Sequence, residues 1–184
     1  IYSGKIRLLL NAPVSIAASM AASVVPSLTA AYTNENMKLV RRKTNTSMRF
    51  VMLIAVPCAV GMGVLAKPIL MLLFHETSKM AVQLLQLASF SIIFYSLSTL
   101  TNGILQGINR MKIPVRNAII ALACQVVIAF GLMYFLKMEI YGILVSNICY
   151  SIIMTILNSF AIRKHMRYRQ ELIKSIVIPL ISAG

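Results

Sequence analysis

Five stretches of this sequence, at about 10–32, 48–74, 81–108, 115–136 and 141–162, are long and apolar enough to cross a bilayer as helices. A hydrocarbon core of roughly 30 Å takes about 20 mostly apolar residues in a helix. The runs are far longer than barrel strands, and in lipid each backbone polar group must be satisfied within its own segment. The expected fold is all-α, a polytopic transmembrane helix bundle. Composition points the same way: 59% of the 184 residues are apolar and only 12% are charged. A soluble domain carries about a quarter of its residues charged. A chain with mean hydropathy +0.82 cannot hide its apolar surface in one core and keep a charged exterior. A further apolar stretch begins near 172 and ends the chain in IVIPLISAG. With Ile1 at one end and Gly184 inside that stretch at the other, the chain is expected to be an internal piece of a longer membrane protein. Residues 1–171 would hold the five spans with a linker over 163–171, and 172–184 would start another helix.

Charge then orients the spans. The 18 Lys and Arg face only 4 acids, a net +14, and they are not spread evenly. Lys38, Arg41, Arg42, Lys43 and Arg49 lie between or beside the first two spans. Arg110, Lys112 and Arg116 lie between the third and fourth, and Arg163, Lys164, Arg167, Arg169 and Lys174 follow the fifth. All of these fall on one side of an alternating topology. The other side holds Lys5, Arg7, Lys67, Lys79 and Lys137. The positive-inside rule puts loops 33–47, 109–116 and 163–174 in the cytoplasm and residue 1 outside. Bases clustered between apolar runs fit anionic lipids at the cytoplasmic face and not nucleic acid.

Polar residues recur inside the spans at intervals of three and four, which places them on single helix faces. The first span carries Asn11, Ser15, Ser19, Ser23 and Ser27. The third carries Ser91, Tyr95, Ser98, Asn102, Gln106 and Asn109, the fifth Asn147, Ser151, Thr155 and Asn158, and the fourth, more weakly, Asn117 and Gln125. Amides facing lipid are costly, so these faces meet protein or water. Two readings stay open: close helix packing, for which the GxxxG pair Gly103 and Gly107 is a known device, or a shared polar cavity. The cavity reading takes Asn11, Ser15, Ser19, Asn102, Gln106 and Asn147 as substrate-binding candidates. Lys5 and Arg7 open the first span just before its polar stripe. They are either headgroup anchors or ligands for an anionic group such as a diphosphate.

Glu35, Glu76, Glu139, Glu171, His75 and His165 all sit in loops or at span ends, so no mid-span carboxylate suggests a proton or sodium relay. Cys58, Cys124 and Cys149 lie singly in apolar runs and read as small apolar fillers. Paired carboxylates, nucleophile triads and phosphate-binding glycine loops are missing. An enzyme is not expected, and neither a cofactor nor a metal. Pro13, Pro26, Pro57 and Pro68 fall inside the runs and permit kinks.

Three segments resemble a known family. GKIRLLLNAPVSIAASMAASVVPSLTAAY is similar to a helix of the polysaccharide-exporter branch of the multidrug/oligosaccharidyl-lipid/polysaccharide exporter superfamily. RRKTNTSMRFVMLIAVPCAVGMGVLAKPILMLLF is similar to the helix after it, and TNGILQGINRMKIPVRNA to a later cytoplasmic turn. Within that branch the chain most resembles the lipid II flippase and stage V sporulation protein B group. The resemblance implies two six-helix lobes around a central cavity, working by alternating access, with two helices added after the second lobe. This chain would supply spans two to six of the second lobe and the start of an added helix. Its first span would run from outside to inside, the direction that charge gives independently. The family carries a cavity arginine about one turn before the proline of that helix; here the nearest bases, Lys5 and Arg7, stand farther from Pro13 than that. The function implied is export of an undecaprenyl-diphosphate-linked sugar, with lipid II, the peptidoglycan precursor, as the substrate. A cation-coupled multidrug antiporter of the same superfamily and a non-transporting membrane scaffold are the alternatives.

Overall fold

The computed structural model describes residues 2–75, 78–136 and 139–166; the expected linker beyond 166 and the helix from 172 lie outside the described residues. Six helices follow one another: α1 (Tyr2–Thr33), α2 (Met37–Val64), α3 (Ala66–Phe74), α4 (Lys79–Gly107), α5 (Lys112–Leu136) and α6 (Glu139–Met166). No strand occurs among the described residues. Five of the helices are long and apolar enough to cross a membrane. At 1.5 Å per residue, the 29 residues of α4 reach roughly 43 Å.

The apolar run over 48–74 is two helices, and its sequence says why. Pro68 has no N–H to give the Val64 carbonyl, and its ring would crowd that turn. The helix stops at Val64, Leu65 serves as the cap on both sides, and Pro68 falls in the first turn of α3, where a missing donor costs nothing. The Gln86 amide of α4 donates to the Gly63 carbonyl beside this break at 3.3 Å. Pro13, Pro26 and Pro57 lie within continuous helices.

The ends of the helices are closed by local chemistry. Asn36 caps α2 by accepting from the Leu39 N–H, and Ser78 caps α4 by accepting from the Ala81 N–H. Glu35, His75 and Asn109 take positive φ at the ends of α1, α3 and α4.

α4 is the hub. α1, α2 and α6 each pack along it, and α5 packs on the far side of α6. Its buried residues include Leu84, Leu85, Ile92, Leu97, Leu100, Ile104 and Leu105. α1 runs in the same direction as α4: Leu9 and Leu10 pack near Leu84 and Ala88, Ala21 meets Gly103, and Leu28 meets Gly107. The glycines set the spacing of this pair. A Cβ on Gly103 would stand 2.8 Å from the Ala21 Cβ, and one on Gly107 would stand 3.1 Å from the Leu28 Cβ. Small residues let membrane helices approach this closely. α2 runs opposite to α4, joining Met52 and Val56 to Leu97 and Ala55 and Ala59 to Ile92. One end of the bundle gathers the α1–α2 turn, the α4–α5 turn and the end of α6. With Lys38, Arg42, Arg110, Lys112, Arg163 and Lys164 all exposed there, it is the basic end.

Candidate functional site

The polar stripes separate into three environments. The first is the outward face of α1. That helix buries Ala17, Ala21, Leu28 and Ala31 against the bundle and leaves Asn11, Ser15, Ser19 and Ser23 exposed. Between them lie Ala12, Ala18 and Ala22, also exposed. Leu8 and Ile16 are the only large exposed apolar side chains on the described part of this helix. Each serine hydroxyl donates to its own helix, Ser15 to the Ala12 carbonyl at 2.7 Å, Ser19 to Ser15 at 2.9 Å and Ser23 to Met20 at 2.9 Å. These bonds satisfy the hydroxyl protons and leave oxygen lone pairs facing outward. Lys5 and Arg7 belong to the first turns of α1, but their side chains lie outside the described residues.

The second environment is a buried seam of amides. Asn117 of α5 donates to the Asn158 Oδ1 of α6 at 3.0 Å. Asn158 Nδ2 in turn donates to Asn102 Oδ1 at 2.7 Å and to Thr101 Oγ1 at 3.2 Å, both on α4. Asn158 and Thr101 are wholly buried. One turn away, the Thr155 hydroxyl reaches the Phe94 carbonyl of α4 at 3.0 Å. Farther along, Gln125 Nε2 donates to Asn147 Oδ1 at 2.9 Å, a second tie between α5 and α6. Asn102 and Asn147 therefore have partners within the bundle. A buried carboxamide left unpaired costs about 1–3 kcal/mol, so the seam fixes how α4, α5 and α6 face one another.

The third environment is a cavity of about 770 Å³ at the basic end, and Gln106 faces it. Its walls are the last turns of α1 and α4 and the two turns that follow them. Tyr32, Glu35 and Asn109 also line it. The structure thus brings Gln106 together with residues of α1, Asn102 together with Asn117 and Asn158, and Asn147 together with Gln125. It does not bring all of the candidates to one place.

Five bilayer-length helices, one of them a buried hub, with one small and polar outer face, describe a multi-pass helical membrane protein. Comparison with known proteins makes that specific. The sequence model of the family described as "Lipid II flippase MurJ" matches residues 2–182. The chain is 25% identical over 180 residues to the lipid II flippase MurJ of Bacillus subtilis (strain 168), which covers 96% of this chain and 33% of that protein. It is also 29% identical over 98 residues to the uncharacterized membrane protein YabM of the same organism, covering 53% of this chain and 18% of that one. The chain belongs to the lipid II flippase MurJ family and is a multi-pass bacterial membrane protein. It spans about a third of the length of the curated flippase it matches.

Proposed function

We propose that this chain forms helices of the second lobe of a flippase that moves an undecaprenyl-diphosphate-linked sugar, the peptidoglycan precursor, across the cytoplasmic membrane by alternating access. The observation that carries this reading is the outward face of α1, where Asn11, Ser15, Ser19 and Ser23 replace the large apolar side chains a lipid-facing helix presents. Hydroxyl and amide groups on such a face suit the sugar as it crosses, while the lipid tail stays in the bilayer. Lys5 and Arg7, at the start of the same helix, supply positive charge for the diphosphate near the outer mouth. The basic end faces the cytoplasm and its anionic lipids. The chemistry asked of these residues is binding and release, not bond making, so the protein acts as a transporter and not an enzyme.

The test uses cells depleted of the whole protein, with no second flippase present. The lipid-linked precursor should accumulate and become shielded from an enzyme acting only at the outer face. A precursor that stays accessible would rule out this substrate.

A further inference from the structure

The cavity at the basic end is built from two copies of one local design. At the end of α1 the Glu35 N–H bonds the Tyr32 carbonyl at 3.0 Å and the Asn36 N–H bonds the Ala31 carbonyl at 3.0 Å. At the end of α4 the Asn109 N–H bonds the Gln106 carbonyl and the Arg110 N–H the Leu105 carbonyl, both at 2.9 Å. Both are Schellman closures, in which the residue after the helix turns left-handed. The sequences around them run in register, YTNENMKL against QGINRMKI. Three matched pairs, Tyr32 with Gln106, Glu35 with Asn109 and Met37 with Met111, line the same cavity.

Two further facts bear on its use. Glu35 and Asn109 sit at φ 54° and 59°, where glycine is the default residue. Both positions carry a side chain that lines the one cavity; asparagine is the common alternative to glycine there, so Glu35 is the outlier that leads to a hypothesis of function. The walls are also tied together. The Thr29 hydroxyl of α1 donates to the Gly107 carbonyl at the end of α4 at 3.0 Å, and a Cβ on Gly107 would press tightly on Leu28.

The geometry points to this cavity as a loading site for the sugar-phosphate head of the substrate, an inference that rests on the transport reading above. The Glu35 carboxylate can accept from sugar hydroxyls, and the carboxamides of Gln106 and Asn109 can both donate to and accept from them. The Tyr32 ring and the methionines offer an apolar surface to the ring C–H faces. A volume of about 770 Å³ lies in the range of small-ligand pockets. Lys38, Arg110 and Lys112, all exposed, are chain neighbours of the lining residues Met37, Asn109 and Met111 and place positive charge around the mouth for phosphate. Among the described residues Glu35 is the only carboxylate at this end, so the surroundings favour an anion-bearing ligand over a cation. The same chemistry would accept a soluble nucleotide sugar.

The test measures binding to the whole protein in lipid nanodiscs. The probes are undecaprenyl-diphosphate-linked sugar, undecaprenyl diphosphate without sugar, and a soluble uridine-diphosphate sugar. The variants are Asn109→Gly, which relieves the left-handed backbone while removing the amide, and Glu35→Gln. Lys164→Gln, at the same end but not lining the cavity, is the control. Each cavity variant should weaken binding of the lipid-linked sugar at least 10-fold, leave the sugar-free lipid unchanged, and differ from the control. If only the soluble sugar responds in this way, the chemistry holds and the lipid-linked source is overturned. If neither variant changes binding of either sugar, the site is overturned. The transport reading is judged separately by precursor shielding. A precursor that becomes shielded on depletion, with unchanged variant binding, removes the site alone, and a precursor that stays accessible, with weakened variant binding, removes the transport reading alone.

Discussion

α1 and α5 are both outer helices, yet they present opposite faces. α5 exposes Val115, Ile119, Val127, Phe130 and Met133, with Val127 71% and Phe130 73% exposed. α1 exposes Asn11, Ser15, Ser19 and Ser23 among alanines. Both helices pass any hydropathy test for a membrane span. The difference lies in which atoms face outward: hydrocarbon on α5, small and polar groups on α1. Lipid is a good solvent for the first and a poor one for the second. On this account α5 faces the bilayer and α1 faces a polar space or another part of the protein.

The same charged substitution on each face is the strongest way to break this contrast. Val127→Lys puts an ammonium near the middle of α5 and should cost about 3 kcal/mol of membrane insertion. Ser19→Lys, near the middle of α1, should leave the protein at ordinary levels. Immunoblots of membrane fractions read both, and equal loss from the two variants would erase the distinction.

Next in size is the amide seam, which separates inward polar residues from outward ones. Asn158→Leu removes the partner that Asn117 and Asn102 share and should lower stability by about 2 kcal/mol, seen as a lower melting temperature in detergent. Asn11→Leu, on the outer face of α1, should leave that temperature within a degree or two.

A smaller effect is expected where α1 meets α4. Gly103→Val pushes a side chain into Ala21, and the overpacking should cost roughly 1–2 kcal/mol in the same melt. Gly131→Val, on α5 with nothing near its Cβ position, serves as the matched control and should change little. The smallest stability change, below about 0.5 kcal/mol, is expected for Ser15→Ala with Ser19→Ala. Precursor transport should nonetheless fall several-fold, and an unaltered rate would take these hydroxyls out of the binding face.

Much of the fold was legible because membrane helices announce themselves by length and hydropathy. The break at Leu65 was signalled by Pro68, although a continuous apolar run over 48–74 concealed it. The stripes were legible as faces but not as destinations. Asn102 and Asn158 have the same spacing whether they line a cavity or bond one another, and only the positions of α4, α5 and α6 decide. The serines of α1 looked like those of α4 in sequence, yet Ser91 is buried and Ser19 exposed because α4 is surrounded and α1 is not. The cavity at the basic end was hardest to foresee. Its two turns share a visible pattern, but they converge only because Gly103 and Gly107 bring α1 and α4 together in parallel.

The contrast between the two outer helices is tested most directly by cysteine accessibility in the whole protein, in its native membrane. With every native cysteine replaced by alanine, Cys58, Cys124 and Cys149 among them, single cysteines would be placed at Ser15, Ser19 and Ser23 of α1 and at Ile119 and Val127 of α5. Each would be exposed to a small charged thiol reagent that reacts only in water. The account predicts rapid labelling at the three α1 positions and none at the two α5 positions. Protection of all five, or labelling of α5 as fast as α1, would contradict it.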